Sequence, residues 1–284
     1  MLDDLPLTER LNAILRDGTE KQRGMVGYIL SNLRQCSYAS ARELASRCGV
    51  DGATIIRLGQ RLGFDRYNDF RESLRASYLG SLEPIDLLQE QSHIPSTDIV
   101  KMTLQQDLRL VSRLLKTVDQ PALHGLAARI SAARRILVIG FGEHGGIAYT
   151  LGHLLSYLGL DAVLETRGSI ALGAQVTNLG PDDLLVAFSF WRPTKDTVQA
   201  LTWSRDQGIP TAVINDSAGS RAAVEATHVI VVPSEAISFF HSMAAALAVV
   251  QVLVALVAAQ RGDRAKEAIR RSRAYNREFG LVTS

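Results

Sequence analysis

At about 100° per residue, Ala53, Ile56, Arg57 and Gln60 share one side of the run from Gly52 to Gly63, with Thr54 and Arg61 on its flanks. Small, hydrogen-bonding and cationic side chains in this arrangement suit the major groove of DNA. Arg57 fits bidentate contact with a guanine and Thr54 a base edge or phosphate, while Arg61, Arg66 and Tyr67 suit the phosphate backbone. A second polar group stands far downstream. Gly142 and His144 lie in GFGEHG, and Ser189, Arg192, Thr194 and Lys195 in SFWRPTK. Side chains of these types at helix starts can hold a small anion by charge and by backbone amides.

The elements that must position the first group are legible locally. Ser40 followed three residues later by Glu43 is a capping box, which starts a helix at Ala41. Leu44, Ala45 and Cys48 give that helix an inward face, Gly49 ends it in a left-handed conformation and Val50 closes the turn. Asp51 caps the next helix, whose buried stripe is Ile55, Leu58 and Leu62, and Gly63 ends it. An ordinary helical hairpin with a solvated face would share this pattern. Charge separates the two readings: Lys21 to Leu79 holds ten Lys and Arg against five Asp and Glu, a balance of +5, whereas Gly80 onward has nineteen of each. The formal net charge of +2 for the whole chain therefore hides a basic front domain.

From Gln22 to Leu79 the chain resembles the DNA-binding domain of the RpiR family of bacterial regulators. The matching residues are Glu43, Leu44, Ala45, Gly49, Val50, Ala53, Thr54, Arg57, Leu62, Gly63, Phe64, Tyr67 and Phe70. The resemblance implies a helix-turn-helix followed by a sugar-isomerase (SIS) domain that senses a sugar phosphate.

The chain has 284 residues, 46% hydrophobic and 21% charged, enough for two ordinary domains. Its two cysteines, Cys36 and Cys48, suggest reduced cytoplasmic thiols rather than a disulfide scaffold or a metal cage, and no cofactor is expected. The start, MLDDLPLTER, is acidic and lacks an apolar core of signal-peptide length. Between Glu235 and Arg261 there is no charged residue, a stretch long enough to span a bilayer. His241, Ser242, Gln251 and many alanines favour instead a helix buried in a domain or at a dimer interface, with no membrane partner.

In chain order, Leu2 to Thr19 is a leading arm with helical spacing at Leu11, Ile14 and Leu15. Val26, Ile29, Leu30 and Leu33 form one helical stripe, and Phe70, Leu74 and Leu79 another. The expected domains are 1–79, a linker over 80–97 containing Pro84 and Pro95, and 98–284. Leu104, Leu108, Val111, Leu115 and Val118 alternate spacings of four and three, a stripe suited to another helix, including one from a second subunit. A further helix carries Leu123, Leu126, Ala127 and Ile130.

Strands are expected at Arg135–Gly140, Ala162–Glu165, Leu184–Ser189, Thr211–Ile214 and Val229–Val232, separated by helix-length segments. The fold class is thus an all-α helix-turn-helix domain followed by an α/β doubly wound, five-stranded parallel sheet. Ligands of such sheets sit beyond the carboxyl ends of the strands, near the switch in strand order. The basic run Arg261 to Arg277 reads as a solvated helix packing back on the sheet.

For the second domain, GFGEHG with Glu165 about 25 residues on satisfies the dinucleotide fingerprint. The same glycines also serve a tight strand-to-helix turn. The SIS resemblance, over roughly Asp98 to Val282, implies G-x-G-x-S on the first loop and S-x-S-G-x-T on the third, with hydroxyls around a phosphate. Here His144 replaces the first loop's serine, and Trp191 and Arg192 replace the third loop's second serine and glycine. Ser189 and Thr194 remain.

The expected ligand is therefore a small anionic metabolite, a sugar phosphate or related acid, held by Gly142, His144, Ser189, Arg192, Thr194 and Lys195. A domain kept only for dimerisation is the plainer alternative. The reading is a DNA-binding transcriptional regulator, a homodimer or homotetramer on a pseudo-palindromic operator. The alternatives are an NAD(H)-sensing redox repressor and a sugar-phosphate isomerase using Glu143, His144, Glu235 and His241. No catalytic residue is assigned.

Overall fold

Ser40 and Glu43 form the expected reciprocal cap, with Glu43 N–H donating to Ser40 Oγ at 3.2 Å and Ser40 N–H to Glu43 Oε2 at 2.7 Å. Asp51 Oδ1 accepts from Thr54 N–H at 2.7 Å. Gly49 and Gly63, with φ of +65° and +88°, end the two helices as predicted. The computed structural model describes residues 7–81, 85–86, 88, 96–237 and 240–281. It divides the chain into two units, Met1–Pro95 and Ser96–Ser284.

The front unit is all helical: α1 Leu7–Asp17, α2 Glu20–Ser31, α3 Leu33–Tyr38, α4 Ala41–Arg47, α5 Gly52–Arg61 and α6 Tyr67–Ser81. Leu44, Ile55, Leu58, Leu62, Phe70 and Leu74 are each 2% exposed or less and form one core with Leu11, Val26 and Ile29. Burial on this scale contributes about 1.5–3 kcal/mol per large side chain. The leading arm is part of this core: α1 buries Leu7, Leu11 and Ile14. The stripe from Val26 to Leu33 is divided rather than continuous. Asn32, at φ −132° and ψ 39°, breaks the helix, and its side chain donates to the Tyr28 carbonyl. The Leu79 side chain lies outside the described residues, as does most of the expected linker 80–97.

The second unit opens with α7 Ser96–Thr117 and α8 Gln120–Ala132. The sheet follows: β1 Ile136–Gly140, β2 Ala162–Glu165, β3 Leu184–Ser189, β4 Thr211–Asn215 and β5 His228–Val231. Between the strands lie α9 Gly145–Tyr157, α10 Ser169–Val176, α11 Lys195–Asp206 and α12 Arg221–Glu225, and α13 Ala244–Arg261 and α14 Asp263–Glu278 close the chain. The order is β2-β1-β3-β4-β5, every pair parallel. Strands β1, β3 and β4 are buried throughout, which is why they read as continuous apolar runs. Alternate residues face two cores, Val138, Val186 and Ile214 on one side and Leu137, Leu185 and Val213 on the other.

The apolar run Ala244–Arg261 is, among the described residues, the one helix long and apolar enough to cross a membrane by length and composition. It is the central helix of the larger core, burying Val249, Val250, Leu253 and Val257 against α7, α8 and α9. Helix α14 packs through Ala265 and Ala268 against α9 and α13, one layer out from its expected place on the sheet. On α7 the inward residues are Leu110 and Leu114. Of the stripe read from sequence, Val118 packs against the larger core, while Leu104, Leu108, Val111 and Leu115 face outward at 64, 68, 39 and 80% exposure.

Candidate functional sites

The exposed face of α5 carries Ala53, Arg57, Gln60 and Arg61, with Thr54 half-buried at its edge. Before any partner arrives these side chains are held by neighbours. Asp51 Oδ2 lies 2.9 Å from Thr54 Oγ1, Arg57 Nη2 donates to Thr54 Oγ1 at 3.0 Å, and the Arg57 guanidinium is 3.9 Å from Asp51. Asp51, whose carboxyl is held below its usual range first by the Thr54 amide, thus anchors a polar chain along the helix start. Arg61 donates to Gln22 Oε1 at 3.0 Å, and Gln22 also completes the cap of α2 with Thr19. These surface contacts are weak individually and are readily exchanged for phosphate or base contacts.

Arg66 and Tyr67 differ from the rest. The Arg66 side chain is 80% exposed and pairs with Asp69. Tyr67 is turned inward: its hydroxyl donates to the Ala39 carbonyl at 2.8 Å and its ring meets Phe70 edge-on. Burial pushes its phenol up to about 12. Tyr67 fastens α6 to the residue preceding the cap of α4, which leaves it a positioning part of the reading face.

In the second unit, neighbours β1 and β3 mark the point where strand order reverses, so the loops after Gly140 and Ser189 flank one crevice. Gly142, at φ +60°, starts a single 3-10 turn ending at His144. His144 is 6% exposed, its ring packs on Phe190, and its Nε2 has no hydrogen-bond partner among the described residues. Burial, then the neighbouring His241, lowers its pKa to about 4, so it is neutral at pH 7.

On the third loop, Ser189 is buried at the end of β3. Thr194 Oγ1 caps α11 by accepting from Thr197 N–H at 3.2 Å, while Arg192 and Lys195 are exposed. Trp191 adopts φ +59°, a left-handed conformation that costs a non-glycine residue about 1 kcal/mol or more. Several contacts help to hold it there. Its N–H donates to Asp216 Oδ2 at 2.9 Å, its indole stacks on His241 at 5.1 Å, and the Arg192 guanidinium lies 4.7 Å from its ring.

Asp216 and Ser234 were not among the residues read from sequence. Ser234 Oγ donates to Asp216 Oδ2 at 3.1 Å, so one carboxylate ties the loops after β3, β4 and β5 together. The only sequence signal was position, just beyond the expected strands Thr211–Ile214 and Val229–Val232. Glu235 and His241 lie on the segment leading to α13. The Glu235 carboxylate pairs with Arg113 and its carbonyl accepts from Gln106 at 2.9 Å. Ser242 Oγ donates to Asp107 Oδ1 at 2.6 Å.

A cavity of about 610 Å³ opens beside this crevice, between α7, the start of α9 and the residues before α13. Glu143 and Gly146 of the first loop line it, whereas Ser189, Arg192, Thr194 and Lys195 do not. None of the six residues read from sequence as one anion site lines this cavity.

The dinucleotide features have other occupations. A Cβ on Gly140 would lie 2.7 Å from the His144 carbonyl oxygen and 2.9 Å from Ala148 Cβ, so glycine there permits close strand-to-helix packing. Glu165 is 1% exposed and accepts from the Arg167 backbone and guanidinium at 2.7 and 2.8 Å. Its carboxylate is engaged where a ribose would need it.

Comparison with known proteins follows the same two units. A helix-turn-helix domain of the rpiR family matches residues 6–80, and a SIS domain matches residues 129–256. An uncharacterized HTH-type transcriptional regulator of Clostridium perfringens is 24% identical over 193 residues, 67% of this chain and 68% of that protein. Another from Providencia stuartii is 24% identical over 216 residues, 73% of each. Among solved structures, the sugar isomerase domain of an RpiR transcription factor from Sphaerobacter thermophilus is 29% identical, with a TM-score of 0.61 over 62% of this chain and 99% of that one. The Vibrio vulnificus NanR protein complexed with ManNAc-6P shares the fold over 98% of this chain and 100% of its own, at 22% identity and a TM-score of 0.61.

Proposed function

The chain belongs to the RpiR family of transcriptional regulators, a helix-turn-helix joined to a SIS domain, and from that premise we propose that its second unit senses a small anionic metabolite and pairs two copies on DNA. The carrying observation is the capped, outward-facing cationic side of α5, which suits a recognition helix with Arg57 at its centre. Two such faces read the half-sites of a pseudo-palindromic operator. Gly142, His144, Ser189, Arg192, Thr194 and Lys195 around the crevice serve an anion, a sugar phosphate or related acid. That the Vibrio vulnificus protein, which shares this fold, is complexed with ManNAc-6P supports a sugar-phosphate-like ligand.

The outward stripe of α7 supports pairing. Val100, Leu104, Leu108, Val111 and Leu115 are all exposed, at spacings nearly symmetric about Leu108. Two copies of the helix laid antiparallel would set Val100 against Leu115 and Leu104 against Val111. The protein works in the cytoplasm, binds no membrane and turns over no substrate. Glu235, one of the two carboxylates named for isomerase chemistry, is held by Arg113.

A ligand alters DNA binding only as far as its affinity differs between the DNA-bound and free arrangements. Fluorescence anisotropy with a duplex selected from a random library, titrated with phosphosugars and small acids, tests this. One class of ligand is expected to change the DNA affinity at least tenfold. If no class changes it, the second unit is a pairing scaffold alone.

A further inference from the structure

We propose, resting on the DNA-binding reading above, that the outer face of α14 is a second, sequence-independent surface for the phosphate backbone of duplex DNA. Charge singles this helix out. From Ser96 to Gln260 the chain holds twelve Lys and Arg against thirteen Asp and Glu, whereas Arg261 to Glu278 holds seven against three. The positive excess of the second unit therefore resides in one helix.

Spacing turns the basic run into a stripe. Lys266, Arg270, Arg273 and Arg277 follow one another at intervals of four, three and four, which at about 100° per residue sets them within about 60° of one another. All four are exposed. Ala265 and Ala268, buried on the roughly opposite side, pack the helix on α9 and α13 and turn the stripe outward. At about 1.5 Å per residue the stripe is about 16 Å long, and a duplex with one charge per about 1.7 Å of axis offers several phosphates over that length.

Little else occupies these cations. Lys266 Nζ lies 2.9 Å from Asp263 and Arg270 Nη1 3.6 Å from Glu267, both exposed pairs within a single turn and cheaply exchanged for phosphate. Arg273 and Arg277 have no ion pair or hydrogen bond among the described residues. Their guanidinium groups suit phosphate oxygens, which they can engage two at a time. The three acids of the helix, Asp263, Glu267 and Glu278, gather on one flank and leave the stripe uninterrupted. A bilayer surface fits less well. A helix lying on lipid needs a free apolar side, whereas the apolar side of α14 is spent on α9 and α13, and the exposed rings of Tyr275 and Phe279 lie away from the stripe at its end.

Fluorescence anisotropy of the full-length protein tests this, on a duplex selected from a random library and a scrambled one of equal length, across about 0.05–0.2 M salt. The variant Arg270→Gln, Arg273→Gln, Arg277→Gln is expected to bind both duplexes at least tenfold more weakly at about 0.1 M salt. The slope of log affinity against log salt should shrink by about two to three, with thermal unfolding unchanged. The variant should still enrich the wild-type motif. A control, Lys116→Gln, Arg129→Gln, Arg221→Gln, takes the same charge from scattered exposed positions and should lose less than threefold. Equal losses in the two variants would make the effect one of net charge and overturn the inference. Wild-type affinity and slope in the stripe variant would overturn it while leaving α5 as the reading helix, and stripe-dependent binding to phosphatidylserine vesicles in place of DNA would do the same. No binding of any duplex by the wild type would remove both readings.

Discussion

On α5, Asp51, Thr54 and Arg57 lie within two turns of one helix and are joined to each other by contacts of 2.9–3.9 Å. Around the crevice of the second unit, Trp191, Asp216, Ser234 and His241 come from three loops and the approach to α13, and a single carboxylate holds the loops in place. The first site is therefore a property of a short segment, and the second a property of the whole sheet. A local site withstands change elsewhere so long as its helix is formed. A site assembled from distant loops responds to anything that shifts one of them, which is what a sensor requires.

The most severe test of that contrast is to remove the core under the local site. Phe70→Ala empties a fully buried ring position touching Gly59, Phe64 and Tyr67. It should destabilise the front unit by about 3–5 kcal/mol in chemical denaturation and abolish DNA binding. Retained DNA affinity would mean that α5 does not depend on this core.

Arg57→Ala leaves the helix intact and should reduce specific DNA affinity by about 1–3 kcal/mol, whereas Lys21→Ala should weaken all sequences alike. Anisotropy on selected and scrambled duplexes distinguishes them. Equal losses on both duplexes for Arg57→Ala would reduce that residue to a phosphate contact.

The acid limb of stability probes the distributed site. The folded pKa of His144, about 4, lies below the ordinary imidazole value of 6.5. Between those values the unfolded chain binds more protons than the folded one, so stability rises with pH across the window and is lost as pH falls through it. Buried Asp216, with its pKa raised by desolvation, acts in the opposite sense over a window that begins at the ordinary carboxylate value and extends upward. In thermal unfolding from pH 7 to pH 4, His144→Gln should therefore fall less steeply than the wild type. Parallel curves would show that His144 is not held neutral by its surroundings.

The smallest expected effect is Ser40→Ala, which removes one half of a solvent-exposed cap and should lower stability by about 1 kcal/mol. A loss several times larger would mean that α4 owes its start to this cap rather than to Leu44 and Ala45.

The same contrast explains what could be read in advance. The helix-turn-helix rests on capping, glycine and periodicity rules that act within a few residues, and its buried stripe was visible as Ile55, Leu58 and Leu62. The parallel sheet was visible because strands buried on both faces are continuously apolar. Thr19 and Gln22 form a second capping box of the same pattern as Ser40 and Glu43, present in the sequence but not used. On α7 the periodic stripe was legible, but whether its partner helix is the chain's own or another copy's was not. Periodicity marks an apolar face without saying whether the chain's own core covers it. Asp216, Ser234 and the cavity of Ile147, Met243 and Leu247 had no local signature, because their meeting depends on strand order and on the return of the chain before α13. Tyr67, read from sequence as a contact to the phosphate backbone, has its hydroxyl spent on Ala39, a contact separated by 28 positions.

The central claim is that α5 reads DNA sequence through Arg57. Selection of bound duplexes from a random library, carried out in parallel with the wild-type protein and Arg57→Ala, addresses it most directly. The wild type should enrich an inverted repeat of two half-sites, and the variant should lose base preference at one position in each. Enrichment no better than the starting library, or identical motifs from both proteins, would contradict it.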